Sequence, residues 1–437
     1  MKRRDFLGVL TGGAASLALG PTWAGASTLP DEFFIFVHAG GGWDVTLWAD
    51  PRNERRGLID PATAGNSETG GLKYWKHAGG TFEILTSKSG LQLGPGIGSL
   101  YDLRERLTII NGLAMNTVSH DDGTTFSTTG RHRTGGAVPE SSVDVVCANE
   151  LGGRQLMPSV AIRFPSQFVG DRLDRRAVPL RVGSVDAITR SFVRSADYLQ
   201  PPDRQAITAL LTEEARELAR DSTHPAPFDQ LASQHQDLVP LLTGDFTKAL
   251  GARQLQAAYP QFEYQGFQGG STVAAAFAIE AIKRNLVRCV GFGLGGFDTH
   301  GANQRQHALQ LQELFGTIAA MVKLLDATPH PTRRGAKLSE HTHILVVSEF
   351  CRTPQLNPAG GRDHYPNNSA LVISPRFRPG PFGATDPDQL LPVDSVEFSD
   401  GRRAIAPPDL LATFLGAFGI DPRRYMRDGE IVKALLA

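Results

Sequence analysis

The sequence lacks three features that would define its class at once: an excess of one charge, a cysteine framework and a long apolar run beyond its first residues. Its 437 residues carry 44 Lys and Arg against 45 Asp and Glu, a formal net charge of −1. Without a bulk positive field, we do not expect a dedicated nucleic-acid-binding protein. Three cysteines are too few for a disulfide scaffold, and because none lies in a CxxC pair they exclude a zinc ribbon.

The composition that remains is that of a large folded protein. Hydrophobic residues make up 41% of the chain, which is enough apolar surface for an extensive core and rules out wholesale disorder. The chain has 47 Gly and 28 Pro, roughly 17% together, against an average of about 12%. This excess predicts long irregular loops between the regular elements.

The first 26 residues have the features of a twin-arginine export signal. Arg3 and Arg4 are adjacent, and a Phe-Leu pair follows at the spacing typical of such signals. The mildly apolar stretch 7–20 is too short and glycine-rich to span a bilayer, and Ala24-Gly25-Ala26 offers small residues for cleavage. We therefore expect the Tat translocase to carry the chain to the periplasm or the exterior of a bacterium. A basic terminus before an ordinary helix is the alternative. No later stretch reaches about eighteen apolar residues, so we expect no integral membrane segment.

Short apolar segments alternate with amphipathic ones along the rest of the chain. Predicted strands occupy Phe33–Ala39, 107–113, 160–164, 287–293, 342–348 and 370–374. Predicted helices occupy 203–220, 228–242, 273–284, 304–326 and 408–418. This alternation predicts an α/β fold with a mainly parallel central sheet covered by helices on both faces. We expect one domain over 27–437, with the Gly-, Ser- and Thr-rich stretch 50–98 as an insertion near the site.

Candidate acid, base and metal-binding residues follow directly after four of these strands. Because ligands in open α/β sheets bind beyond the carboxyl ends of the strands, we expect the whole set to meet at one edge of the sheet. Taken singly, Asp44 could cap a turn, Asp298 could cap a helix and Glu349 could pair with Arg352. The candidates are Asp44, Ser119, His120, Asp298, His300, Glu349, Asp363 and His364.

The mixture of carboxylates and imidazoles predicts a site for divalent metal ions. It suits Zn, Mn or Fe better than Ca, which prefers all-oxygen ligands, with Ca and Mg as alternatives. Two carboxylates and one or two imidazoles per ion would make two adjacent sites, so we expect one or two ions. His307, on the long predicted helix, is expected at the surface. His132, His341 and His343 have no expected role.

At these residues the sequence becomes similar to a known family. The motifs that carry the likeness are the twin-arginine start, GGGWD at 40–44, SH at 119–120 with a later TTG, GFDTHGANQRQH at 296–307, SEFCRTP at 348–354 and GGRDHYP at 360–366. In this order they resemble the domain of unknown function 1501 (DUF1501) family over essentially the whole mature chain. That family looks like a distant member of the alkaline phosphatase and sulfatase superfamily. The resemblance implies a large α/β sandwich with a mainly parallel sheet and metals at the strand ends.

The resemblance also implies roles for individual residues. Asp44 matches the metal aspartate that follows the first strand of the superfamily. Asp298 matches the aspartate of a later metal motif, although His300 lies closer to it than the superfamily's histidine does. We therefore expect Asp44 and Asp298 to hold metal, with His300 as a further ligand.

The later motifs match with two substitutions. Glu349 and Phe350 stand where the superfamily has an Asp-His pair, so one imidazole is missing. His364, preceded by Asp363, matches the final histidine ligand. The metal set that the resemblance implies is Asp44, Asp298, Glu349, Asp363 and His364, with His120 and His300 as further ligands.

The nucleophile is where the sequence departs from the superfamily. Sulfatases place a Cys or Ser a fixed distance before a Thr-Gly pair, and here that position, ahead of Thr129-Gly130, holds His120. Three interpretations remain open: His120 binds a metal whose water attacks, His120 is a covalent nucleophile, or the site is degenerate and only binds. Ser119 is a further candidate nucleophile. Arg352 and Arg362 could hold an anionic group bidentately or form structural ion pairs.

Two classes of function follow from these features. The leading expectation is an exported metal-dependent hydrolase of the phosphatase or sulfatase type, acting on an anionic ester of a small molecule or polymer. The competing expectation is a non-catalytic periplasmic binding or assembly protein that keeps the fold with a degenerate site. The retained carboxylates and imidazoles favour the enzyme, whereas the missing hydroxyl nucleophile and the missing histidine favour the binding protein. Hydrolysis of a non-ester bond is a third alternative.

Overall fold

The computed structural model describes residues 31–52, 77–78, 81–82, 84–153, 155–170, 173–193, 201–223, 225, 228, 232, 249–262 and 270–437. The expected export signal at 1–26 lies outside the described residues. Most of the helix expected at 228–242 and residues 53–76 of the expected insertion also lie outside them.

An eight-stranded sheet forms the centre of the fold. Its strands are β1 (Phe33–Ala39), β2 (Thr108–Ala114), β3 (Met157–Ile162), β4 (Leu180–Val182), β5 (Val287–Leu294), β6 (Thr342–Val347), β7 (Asn367–Ile373) and β8 (Gly380–Phe382). They lie in the order β8-β2-β7-β6-β1-β5-β3-β4. Five of the seven neighbouring pairs are parallel, and β7 alone pairs antiparallel with both of its neighbours. The sheet is therefore mainly parallel, as predicted.

Helices and short ribbons surround this sheet in the described part of the chain. The α-helices are α1 (His120–Thr129), α2 (Val143–Leu151), α3 (Val185–Val193), α4 (Pro201–Asp221), α5 (Ala252–Ala258), α6 (Gly270–Lys283), α7 (Asn303–Ala327) and α8 (Pro407–Gly416). Two-stranded ribbons pair Cys351–Arg352 with His364–Tyr365, Val396–Phe398 with Gly401–Arg403, Leu85–Thr86 with Gln92–Leu93, and His77–Ala78 with Thr81–Phe82. Short 3-10 helices occupy Val45–Leu47, Pro95–Arg106, Arg175–Ala177, Leu338–Glu340, Pro422–Arg424 and Lys433–Leu435.

Both faces of the sheet are buried, and β1 shows this best. Phe33, Ile35 and Val37 pack in one apolar cluster with residues of α6 and α7. Phe34 and Phe36, on the other face, pack in a second cluster with residues of α2 and α8. A strand covered on both faces needs a continuous apolar run, which is why FFIFVHA identified it in the sequence. The α/β class with helices on both faces is thus confirmed.

The long helix α7 is part of this core. By length and composition alone it could cross a membrane, since its most apolar window has a mean hydropathy of 1.2. However, 56% of that window is buried inside the structure. Its apolar side packs in the same cluster as α6 and as Phe33, Ile35 and Val37 of β1. These are the properties of a core helix.

Four of the α-helices and two strands of the central sheet were not predicted from the sequence, nor were the short ribbons and 3-10 helices. The edge strands β4 and β8 have only three residues each, too few to show a period. The helix α1 has the sequence HDDGTTFSTT, in which Gly, Thr and Ser have poor helix propensity. Its helical form therefore depends on packing against the rest of the fold. α2 likewise shows no amphipathic pattern, whereas α3 is amphipathic but has only nine residues and α5 only seven, too short for a secure prediction.

Glu32, just before β1, is a buried carboxylate at the amino end of that strand. It is 1% exposed, lies 2.9 Å from His343 Nε2 and 3.2 Å from His341 Nδ1, and has Arg376 at 3.5 Å. Burial would raise the pKa of Glu32, but the hydrogen bonds and charges of the two imidazoles hold it at about 2. The two histidines, for which the sequence indicated no role, therefore anchor the start of the first strand.

This carboxylate should make part of the stability depend on pH. A carboxyl group whose pKa is about 2 in the folded chain, below its usual 4.5, stabilises the fold above about pH 4.5. That contribution is lost as the pH falls towards 2. Glu32→Gln is expected to lower the free energy of unfolding at neutral pH by about 1–3 kcal/mol. It should also flatten the acid side of a plot of urea midpoint against pH. Glu217→Gln, at an exposed position, should change neither the free energy of unfolding nor the pH dependence of the urea midpoint. If the urea midpoint of Glu32→Gln depends on acid pH as in the wild type, the stabilising role of Glu32 is contradicted.

Candidate metal centre

The candidate residues lie on loops that leave the sheet at one edge. β1, β2, β5 and β6 run in the same direction, so the loops that follow them are neighbours. The loop after β6 is folded back by the ribbon that pairs Cys351–Arg352 with His364–Tyr365. The residues so placed are Asp44 after β1, His120 at the start of α1 after β2, Asp298 and His300 after β5, and Glu349, Asp363 and His364 after β6.

Three imidazoles and one carboxylate meet at this edge. The Nε2 atoms of the three rings lie close to the carboxylate oxygens of Asp298, at 3.5 Å for His120, 3.1 Å for His300 and 3.4 Å for His364. The Nε2 atoms of His300 and His364 are 3.1 Å apart. Ligand-type atoms of His120, Asp298 and His364 all lie within 4.8 Å of one another. The structure therefore brings together four of the predicted site residues.

Each of the three rings is held at its other nitrogen. The Nδ1 contacts are those of His120 with Glu349 Oε1 (2.9 Å), His300 with Asp363 Oδ1 (2.8 Å) and His364 with the main-chain carbonyl of Val118 (2.8 Å). Ionised carboxylates and carbonyls only accept, so each Nδ1 carries a proton, and in the neutral form of a ring the lone pair lies on Nε2. Metal-binding histidines have the same arrangement, because a hydrogen bond at the second nitrogen fixes the tautomer and orients the ring. The hydrogen bond with Glu349 raises the pKa of His120, so an ion would compete with a proton for its Nε2.

Glu349 lies behind His120 rather than among the converging Nε2 atoms. Besides His120, its Oε1 accepts a hydrogen bond from the main-chain N–H of Gly41 at 2.6 Å. Gly41 has φ +118°, and a Cβ there would lie 2.4 Å from the main-chain nitrogen of Asp298, so this approach requires glycine. Burial would raise the pKa of Glu349, but the hydrogen bonds from His120 and Gly41 hold it below its ordinary value. Glu349 thus orients His120, and Asp363 orients His300 in the same way.

The aromatic ring of Phe350 packs against two of the imidazoles. Its ring centroid lies 4.9 Å from that of His120 and 4.5 Å from that of His364, and the side chain is fully buried. The residue that stands where the superfamily has a histidine ligand therefore packs against two other histidines. Packing of this kind restricts the tilt of the rings while their Nε2 atoms face Asp298.

The carboxylates at the cluster are held in their charged form. Burial would raise the pKa of Asp298, but the hydrogen bond from Arg352 at 2.6 Å holds it below its usual value. The hydrogen bond from His300 lowers the pKa of the exposed Asp363. Together with Glu349, three carboxylates face one buried guanidinium at this edge. The local charge therefore favours a cation.

Ser119 and His120 adjoin the cluster at the start of α1. The helix α1 can approach the main chain of Glu349 because Gly123 has no side chain. A Cβ at Gly123 would lie only 2.4 Å from the carbonyl oxygen of Glu349, so this position has room only for glycine. Ser119 is the exposed N-cap residue and makes no capping hydrogen bond through its side chain. Nδ1 of His120 is bound to Glu349 and its Nε2 lies 3.5 Å from Asp298, so both ring nitrogens are directed at carboxylates rather than at the hydroxyl of Ser119. The arrangement favours His120 as a ligand over His120 as a nucleophile.

Asp44 does not join the cluster. Its Oδ1 accepts hydrogen bonds from the main chain and the hydroxyl of Thr46 at 3.0 and 2.6 Å, and its Oδ2 accepts one from Asn303 at 2.7 Å. Oδ2 also lies 3.3 Å from Nε of Arg362. The side chain is fully buried. Asp44 therefore caps the short helix Val45–Leu47 and neutralises a buried arginine, instead of holding metal as the resemblance implied.

Arg352 and Arg362 are also fully buried and engaged. Arg352 donates to the main-chain carbonyls of Gly41, of Gly42 at 2.8 Å and of Arg362 at 3.0 Å, as well as to Asp298. Arg362 donates to the carbonyl of Thr353 at 2.8 Å. The structure thus places both arginines in structural contacts, and the expected bidentate hold of Arg352 on an anionic group is not available in this arrangement.

The expected surface position of His307 was wrong. The side chain is fully buried, and its Nε2 accepts a hydrogen bond from the main-chain N–H of Asp44 at 2.9 Å. Its Nδ1 lies 3.0 Å from the hydroxyl of Thr299, and burial lowers its pKa to about 4. The signal that could have found it is helical spacing, because Asn303, His307 and Leu311 lie on the buried face of α7.

Three groups that the sequence did not indicate complete the centre. Two are main-chain groups, the carbonyl of Val118 and the N–H of Gly41, and no side-chain pattern could have identified them. The third is His38, which is buried near the end of β1 with its Nε2 3.5 Å from Oε2 of Glu349. A polar residue within the apolar run of β1 was the available signal.

The hydrogen bond between Glu349 and His120 should control how tightly this centre holds a divalent ion. Glu349→Gln keeps the shape of the side chain but removes the charge that makes the His120 ring a better ligand. We expect the affinity for Zn or Mn to fall about 10- to 100-fold, as is typical when the partner of a metal-binding histidine is changed. Competition with a chromophoric chelator measures the affinity for the ion. Glu105→Gln, at an exposed position, serves as the control, and an unchanged affinity in Glu349→Gln would contradict the orienting role of Glu349.

Comparisons with known proteins place the chain in a family. The family model described as "Protein of unknown function (DUF1501)" matches residues 33–430. Among curated proteins, no relative matches.

Similar solved structures are distant. Ps i-CgsB is 10% identical, with 91% of this chain and 74% of that chain covered and a TM-score of 0.39. Its complex with k-i-k-neocarrahexaose is 11% identical, with the same coverage and a TM-score of 0.38. BT33494S-sulf, from Bacteroides thetaiotaomicron, is 10% identical, with 89% and 73% covered and a TM-score of 0.34. Likenesses this distant say nothing about the activity of this chain. The family match, by contrast, spans nearly all of the described fold, and the chain belongs to the DUF1501 family.

Proposed function

We propose that the mature chain is a metal-dependent hydrolase of the phosphatase and sulfatase type that acts on an anionic ester. The observation that carries this proposal is the convergence of three Nε2 atoms on the carboxylate of Asp298, each ring being held at Nδ1. Three imidazoles and one carboxylate suit Zn, Mn or Fe. Among the described residues, one group of ligand atoms, those of His120, Asp298 and His364, lies together within 4.8 Å, and Nε2 of His300 lies 3.1 Å from Asp298 beside it, so we propose one ion rather than two.

A bound divalent ion would supply Lewis-acid stabilisation and lower the pKa of a water ligand. The four converging side chains would hold it, while Glu349 and Asp363 keep two of the rings in their orientation. Arg352 would keep Asp298 ionised. The side chains of Asp298 and His300 are 49% and 50% exposed, so an ester and a water molecule can reach this edge from solvent.

The charge of the ester would be met by the ion itself. Arg352 and Arg362 are engaged with main-chain carbonyls and with Asp298 and Asp44, which leaves neither for a clamp on phosphate or sulfate. We infer that water attacks directly, because the superfamily's nucleophile position holds His120. The same engagement of Arg352 favours a second candidate, a periplasmic binding or assembly protein with a degenerate site. A relation of the family to the alkaline phosphatase and sulfatase superfamily is part of the proposal, and ligands at the ends of parallel strands support it.

Metal content and turnover, measured together, test the two candidates. Wild-type protein is expected to retain about one ion per chain and to hydrolyse p-nitrophenyl phosphate or p-nitrophenyl sulfate. Asp298→Ala should lose the ion and lower turnover about a thousandfold, the effect of several kcal/mol of lost charge stabilisation.

Ser119→Ala is the matched control, because it changes the neighbouring hydroxyl and leaves the cluster intact. It should keep the ion and most of the turnover. Turnover abolished in Ser119→Ala with the ion retained would make the hydroxyl the nucleophile. A bound ion with no turnover above Asp298→Ala would favour the binding protein. If the wild-type protein holds well below one ion per chain, and Asp298→Ala holds no less, the proposal of a metal centre is contradicted.

We also propose that the Tat translocase exports the chain to the periplasm or the cell exterior. The proposal rests on residues 1–26 of the sequence, where Arg3 and Arg4 precede an apolar stretch and a small-residue cleavage site. Replacing both arginines by lysine keeps the charge but removes the paired guanidinium groups. We expect the uncleaved precursor to accumulate in the cytoplasm of a bacterial host, as seen by fractionation and immunoblotting. Export at the wild-type level would contradict the signal.

A further inference from the structure

A cavity lies beside α1, away from the converging Nε2 atoms. It has a volume of about 500 Å³, within the size range of small-molecule sites. The end of α1 forms one wall, with Phe126 and Gly130, and the loop that follows the helix forms another. Asn116, before α1, and Arg427, near the C-terminus, complete the lining. Four separate parts of the chain therefore enclose one concave space.

His132 is the most constrained side chain in this lining. Its Nδ1 lies 2.8 Å from Oδ2 of Asp122, and Oδ1 of Asp122 accepts a hydrogen bond from the main-chain N–H of Arg133 at 2.8 Å. Its ring is stacked on that of Phe126, with centroids 3.8 Å apart and an angle of 20° between the planes. Nδ1 donates to the carboxylate, so in the neutral ring the other nitrogen, Nε2, is an acceptor. The sequence indicated no role for His132, yet the structure holds it in one orientation.

The remaining polar groups of the lining are balanced between donors and acceptors. Arg131 and Asp428 form an ion pair at 2.7 Å. Arg427 is exposed and Glu140 is half-buried, and neither forms an ion pair within the described part of the chain. Two guanidinium groups thus stand against two carboxylates. A simple anion would meet repulsion from the carboxylates, and a simple cation from the arginines.

We propose that this cavity binds a polyhydroxylated group, the chemistry of a sugar unit. A hydroxyl group both donates and accepts, so several of them on one ring can satisfy the guanidinium of Arg427 and the carboxylate of Glu140 together. The Nε2 of His132 adds an acceptor, and the amide of Asn116 offers one of each kind. The apolar C–H face of a sugar ring fits the remaining lining, which includes Pro139 and Pro408.

The position of the cavity suggests how it relates to the candidate metal centre. The helix α1 has ten residues, which is about 15 Å, and it runs from His120 at the metal centre to Thr129, after which its C-cap Gly130 lines the cavity. A sugar-bearing ester could occupy the cavity with one unit while its ester group lies at the metal centre. This link rests on the proposed function, whereas sugar binding in the cavity does not depend on it.

Ligand-observed NMR with methyl glycosides of glucose, galactose, mannose and glucuronic acid, and with their short oligomers, tests the cavity directly. At least one probe is expected to bind the wild-type protein. Glu140→Gln and Arg427→Ala should each weaken that binding about tenfold, the usual consequence of losing a charged hydrogen-bond partner. The matched controls Glu397→Gln and Arg378→Ala change exposed residues outside the lining and should bind as the wild type does.

The variants also separate this site from the metal centre. Binding should persist in Asp298→Ala, because that residue lies outside the lining. Loss of binding in Asp298→Ala would place the sugar at the metal centre and overturn the proposal. Absence of binding by every probe, or wild-type binding in both Glu140→Gln and Arg427→Ala, would overturn it too. p-Nitrophenyl phosphate and p-nitrophenyl sulfate carry no sugar unit, so their turnover by the wild-type protein reports a failure of the hydrolase proposal independently of sugar binding.

Discussion

A single buried carboxylate, that of Glu349, ties the ends of three strands together. It accepts hydrogen bonds from Gly41 after β1 and His120 after β2, and from the hydroxyl of Ser348 at 3.1 Å at the end of β6. A buried charge that loses its partners destabilises a protein by about 3–5 kcal/mol. No one of these loops can therefore move alone, because doing so would leave the carboxylate unpaired. The orientation of His120 within the cluster depends on this constraint.

The sequence predicted which edge of the sheet carries the candidate residues better than it predicted the hydrogen bonds that orient them. Apolar runs identified β1, β5 and β6, and the rule that ligands collect beyond parallel strands placed Asp298, His300 and Glu349 at one edge. Both inferences rest on regular periods and chain direction, which a sequence displays. The partners of the Nδ1 atoms do not follow from either. They depend on how far each loop folds back, and one of them is a main-chain carbonyl that no side chain marks.

The departures from the superfamily pattern share a physical cause. Asp44 occupies a position at which the resemblance implies a metal ligand, but Arg362 and Asn303 are close enough to satisfy it completely. The resemblance implies an aspartate ligand where Glu349 stands, but this longer side chain lies behind the imidazole of His120. It implies a histidine ligand where Phe350 stands, but this ring packs against His120 and His364. Residue type at a matching position therefore limits the chemistry available, while the neighbours decide which part of it is used.

The main-chain contact at Val118 has a consequence for how this site would appear in a mutational scan. Its carbonyl orients His364, yet its side chain is 46% exposed. Most side chains could be exchanged there without disturbing the peptide group, so the position would score as tolerant. The orientation of His364 depends on the path of the backbone at Val118 and not on the side chain of that residue. Only a change in that path, such as a shortened loop or an ester in place of an amide, would expose its importance.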